Sequence, residues 1–137
     1  MNKRWRAGLA IAATRGMVDQ VAVDQWRVAS QSADDKAYLV TLHTNPDEEE
    51  AYECECPDHV HRVVNCKHIF AVGNWRTAEA YVIALIIRGE GADESLAAFL
   101  QEKLLGWLDD TQRDKYKIVW NAYQCVTRRL EQLQQAA

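Results

Sequence analysis

The sequence predicts an α+β fold: a small antiparallel β-meander followed by a mostly helical C-terminal part with an αα-hairpin. Three observations predict it. Apolar residues alternate with period two between Val21 and Cys54, and after Cys66 the period becomes helical. Between the two regimes lies a tight cluster of Cys and His. At 137 residues, with 48% hydrophobic and 26% charged residues, the composition is that of a globular chain.

Residues 1–17 read as an N-terminal helix, with Trp5, Leu9, Ala12 and Ala13 at roughly helical spacing and Gly16 as its stop. Val21 and Val23 alternate with polar partners, then Trp26 and Val28 do the same. The offset between the pairs predicts a bulge in one strand. Ser30 to Asp35 reads as a turn, Tyr38, Val40 and Leu42 as a second strand, and Asn45-Pro46-Asp47 as another turn. A third strand runs from Ala51 to Cys54. Asn65 can cap a helix containing Cys66, Lys67 and His68 in its first turn, ended or kinked at Gly73-Asn74.

Thr77 to Arg88 reads as a buried helix, with Gly89 as its C-cap. Asp93 can cap the next, whose apolar period runs from Leu96 to Leu108 and breaks at Asp109-Asp110. Thr111-Gln112-Arg113-Asp114 resembles a capping box. The last helix carries Tyr116, Val119, Tyr123, Val126, Leu130 and Leu133 in a stripe suited to packing on its predecessor. The expected division is therefore 1–17, 18–75 and 76–137.

The longest apolar run, Ala80 to Ile87, is too short to cross a bilayer, so no membrane association is expected. No signal-peptide apolar block follows the charged first residues, which predicts an intracellular, cytoplasmic protein. In a reducing compartment four Cys are better read as metal ligands or free thiols than as disulfides. The net charge of −4 argues against a generic basic nucleic-acid binder. Residues 1–30, 54–76 and 111–137 are nevertheless net positive, between acidic blocks.

The stretch from Cys54 to His68 holds two ligand pairs, Cys54/Cys56 and Cys66/His68, each with one intervening residue. Zinc takes four such ligands in a tetrahedron. Cys54 and Cys56 would come from a strand end where Pro57 turns the chain, and Cys66 and His68 from a helix start. The helix N-terminus and Lys67 would offset the negative cluster. Four protein ligands close the site, which predicts one structural Zn2+ rather than a catalytic one. His59 and His61 are read as exposed loop residues, since His68 pairs symmetrically with Cys66. Cys125 is read as a buried or half-buried thiol, and Asp47 to Glu50 as a solvated loop.

This pattern closely resembles the SWIM zinc finger, Cys-x-Cys, a spacer, then Cys-x-His. Tyr52, Cys54-Glu55-Cys56-Pro57-Asp58 and Cys66-Lys67-His68-Ile69 carry the likeness. Upstream, Trp26 to Ser30 and Tyr38-Leu39-Val40 look like the strand pair of bacterial SWIM proteins and Mutator-type transposases. His59 stands where members often have an aromatic residue. The resemblance covers roughly residues 18–75 and implies a ββα finger ligated by Cys54, Cys56, Cys66 and His68. It also implies DNA binding or protein interaction. On the first reading, a nucleic-acid-binding accessory, Arg62, Lys67 and Arg76 would contact phosphate, helped by Lys3, Arg4 and Arg6. On the second, an adaptor, residues 93–136 would dock a partner or a second copy around a purely structural zinc. No Gly-rich phosphate loop, paired carboxylates or open metal site is visible, so an enzyme is not expected.

Overall fold

The computed structural model describes residues 2–32, 35–87 and 109–136. The chain forms two compact units, Met1–Asn74 and Trp75–Ala137. The α+β class is as the sequence predicts: a four-stranded antiparallel sheet in simple sequential order, accompanied by helices.

Helix α1 spans Lys3–Ala13, and Asn2 caps it: its side-chain oxygen accepts from the amides of Arg4 at 2.8 Å and Trp5 at 3.3 Å. The helix ends at Ala13, short of the expected Met17. Gly16, with φ of +83°, turns the chain toward the sheet in a conformation a side chain would oppose.

Strands β1 (Val18–Ala22), β2 (Gln25–Ala29), β3 (Ala37–Thr44) and β4 (Glu50–Cys54) form the meander. The expected single bulged strand around Val21–Val28 is in fact two strands, β1 and β2, joined at Val23-Asp24, with the register irregularity between Gln20 and Ala22. That junction lacks the Asn-Gly type of signal that announces a tight hairpin. Between β3 and β4 the turn signal is strong, and the Asn45 side-chain oxygen accepts from the amides of Asp47 and Glu49.

Trp26 of β2 faces Val40 of β3, which in turn faces Cys54 of β4. With Val28, this row is buried on one face of the sheet. Leu9, Ile11 and Ala12 of α1 and Ile69, Ala71 and Val72 of the third helix are buried in the same unit. Cys54 thus ends its strand inside a core.

Helix α2 (Pro57–Arg62) occupies the spacer that the sequence suggested was a loop. Pro57 opens it with a preset φ, and Val63 closes it in the left-handed region at φ 52°, ψ 45°. Helix α3 runs unbroken from Lys67 to Ile87, so Gly73-Asn74 neither ends nor kinks it and the two helices expected there are one. The Asn74 amide donates to the Phe70 carbonyl one turn back, which keeps this turn-forming residue within the helix.

In the second unit, α4 spans Asp110–Ala136. Its capping box begins at Asp109 rather than Thr111. The Asp109 carboxylate accepts from the Gln112 amide at 2.8 Å, and the Gln112 side chain accepts from the Asp109 amide at 3.3 Å. Ile118, Ala122 and Val126 are its buried positions, with Tyr116, Val119 and Tyr123 half-buried beside them. The partner helix expected over Asp93–Leu108 lies outside the described residues, as do the side chains of Leu130 and Leu133. Among the described residues no helix is long and apolar enough to cross a membrane.

Candidate metal centre

Three elements bring the ligands together. Cys54 is the last residue of β4, Cys56 precedes Pro57 at the start of α2, and Cys66 and His68 stand at the start of α3. All four are buried, and their ligand atoms lie within 4.8 Å of one another. The His68 Nδ1 is 3.8 Å from both Cys54 Sγ and Cys66 Sγ. Nδ1 is therefore the nitrogen aimed at the cluster. Nε2 is buried and has no hydrogen-bond partner among the described residues. This set can hold one metal ion.

Backbone geometry prepares the sulfurs for charge. The amides of Cys56, His59 and Ile69 donate toward Cys54, Cys56 and Cys66 respectively, favouring each thiolate. The hydrogen bond from Cys54, with help from His68, holds the Cys66 thiol down to about 4 against the opposing effect of burial. Bonding to that thiolate, and then burial, push Cys54 far up, and burial pushes up Cys56. A bound cation supplies the charge that lets all three sulfurs ionise.

His59 and His61 lie on α2, not in a loop. His59 is half-buried and its Nδ1 donates to the Val64 carbonyl at 2.8 Å, an interaction that holds the spacer rather than the metal set. His61 is exposed. Cys125 is half-buried on α4.

A cavity of about 480 Å³ opens beside the cluster. Lys3, Arg4, Arg62 and Lys67 line it together with Cys56, Cys66 and His68. Two of these cations share one carboxylate. Arg4 Nε and Nη2 donate to Asp58 at 2.7 and 3.1 Å, and Arg62 Nη1 donates to the same group at 3.4 Å. The Arg4 hydrogen bond holds the Asp58 carboxyl below the usual carboxylate range, and Asp58 raises the guanidinium in return. Both side chains are about one-third exposed, so this pair orients α1 on α2 more than it stabilises the fold. Sequence reasoning missed Asp58, which lies 54 positions from Arg4, and no local pattern signals that pairing. Arg6, also on α1, is not among the cavity's lining residues. Arg76 belongs to the second unit.

No family model, curated protein or solved structure matches the chain.

Proposed function

We propose that the chain is a zinc-binding module of the SWIM type that contacts nucleic acid through the basic side chains gathered at its metal centre. Zinc is the ion this donor set suits: three sulfurs and one imidazole nitrogen, all from buried residues. Around zinc, bond lengths of about 2.3 Å to sulfur and about 2.0–2.1 Å to nitrogen make tetrahedral sulfur–nitrogen edges of about 3.6 Å. The two 3.8 Å separations at His68 fit those edges closely. With four protein ligands the ion has no position left for water, so its role is structural: it ties β4, α2 and the start of α3 into one unit.

The observation that carries the nucleic-acid reading is the convergence of Lys3, Arg4, Arg62 and Lys67 on one cavity in a chain of net charge −4. They come from three separate helices, α1, α2 and α3. Filter binding of the zinc-loaded protein to duplex and single strands at two salt concentrations tests it. Counterion release predicts a steep loss of affinity with salt, and Arg62→Gln with Lys67→Gln flattens that dependence for all sequences alike. No binding to any strand at low salt rejects this reading and leaves the adaptor role.

A further inference from the structure

We propose that the cavity beside the metal centre receives a phosphate monoester, the doubly charged end of a nucleotide or of a strand. This rests on the nucleic-acid reading and narrows it from a basic surface to one group in one cavity.

Size and charge argue for it. At about 480 Å³ the cavity is in the range of small-ligand sites. Its lining holds four cations, Lys3, Arg4, Arg62 and Lys67, against the carboxylate of Asp58 and the one negative charge of a three-thiolate zinc centre, an excess of about two. The cationic excess exceeds what one internal phosphodiester, with a single charge, would neutralise. A terminal monoester carries about −1.5 to −2 at neutral pH, and it enters by its end, without a chain that must leave on the other side.

Donor geometry argues for it as well. Asp58 accepts from both arginines and so fixes the two guanidiniums beside each other. A guanidinium has five N–H donors. Asp58 engages two from Arg4 and one from Arg62, which leaves donors on each for a second anion. Lys67 is held in place by one bond to the Gln31 side chain at 3.0 Å, with two further donors on its ammonium. The hydroxyls of Ser30 and Ser32 also line the cavity; at 3.2 Å one donates to the other, which leaves one hydroxyl hydrogen for an anion. Such a mixture of arginine forks, lysine and hydroxyls suits the three oxygens of a phosphate monoester. The half-buried Tyr38, packed on His68 with ring centroids 4.8 Å apart, supplies an aromatic wall.

The test is fluorescence anisotropy with the whole 137-residue chain, zinc-loaded. The probes are single strands of one sequence bearing a 5′-phosphate, a 3′-phosphate or hydroxyls at both ends, with a nucleoside monophosphate and its parent nucleoside as competitors. One phosphorylated strand is expected to bind about tenfold tighter than the hydroxyl-ended strand, the scale of one charge-assisted hydrogen bond. The monophosphate, and not the nucleoside, is expected to compete. Lys3→Gln and Arg62→Gln, both on exposed side chains, are expected to shrink the end preference to about twofold or less. Zinc content and circular dichroism check that each variant is folded. Equal binding of all three strands overturns the inference and leaves the nucleic-acid reading standing. If no strand binds, calorimetric titration of the monophosphate decides: binding supports the cavity assignment with a free nucleotide as its source and rejects the nucleic-acid reading. Binding of no probe rejects both.

Discussion

Cys66 does two things at once. Its carbonyl accepts the first bond of α3, from the Phe70 amide at 3.1 Å, and its sulfur belongs to the metal set. Metal binding at this sulfur would therefore be coupled to the start of the helix. Cys66→Ser should abolish stoichiometric zinc and unfold the region around residues 50–75, a loss of several kcal/mol given the usual contribution of structural zinc. Metal analysis and thermal unfolding of the variant read both effects. His61→Ala should retain zinc. His59→Ala should retain it too, at a cost of about 1 kcal/mol for the bond to Val64. Loss of zinc from either histidine variant would contradict the ligand assignment. At this scale the sequence announces the Cys/His cluster that the fold gathers, because two x-separated pairs have few other uses. It is opaque for Asp58, whose partner arrives from another helix.

Among the elements, α1 and α3 meet at Gly8. A Cβ there would stand 2.6 Å from Phe70 Cβ and 2.7 Å from the Lys67 carbonyl oxygen, closer than packed atoms come. The glycine is needed for close approach, and that approach sets Lys3 and Arg4 beside the metal centre. Gly8→Ala should destabilise by about 1–3 kcal/mol, despite the better helix propensity of Ala, and should weaken nucleic-acid binding without removing zinc. Chemical denaturation and the binding titration check this.

Val63 ends α2 in the left-handed region, where a β-branched side chain is strained, and it is 82% exposed. Asn tolerates that region, so Val63→Asn should stabilise by about 1 kcal/mol, read as a higher denaturation midpoint. The sequence hides α2 for related reasons. It has only six residues, a Pro opens it and a Val closes it where Gly is the usual sign. Continuity of α3 through Gly73-Asn74 is hidden because local turn propensity yields to packing on either side.

The molecule as a whole joins an acidic chain to a local cationic cavity, and net charge says nothing of that contrast. The α+β class was legible because period two and period 3.6 occupy separate stretches, meeting at the Cys/His cluster. The strand count was not, since the turn at Val23-Asp24 carries no glycine. Of the stripe expected on α4, Val126 is buried while Tyr116, Val119 and Tyr123 are half-buried, and Ile118 and Ala122, which the stripe did not include, take buried positions. Acid should act on the metal first. Thiolates bind zinc and thiols do not, so the stability zinc confers is full at higher pH and is lost as pH falls and the sulfurs protonate. Thermal unfolding with zinc present should therefore drop steeply on acidification.

The most direct measurement is X-ray absorption at the zinc edge on the purified, zinc-loaded protein. The assignment of Cys54, Cys56, Cys66 and His68 predicts one zinc per chain with three sulfurs at about 2.3 Å and one nitrogen at about 2.0–2.1 Å. A first shell of nitrogen and oxygen alone, a water in place of His68, or a protein that takes up no zinc would contradict it.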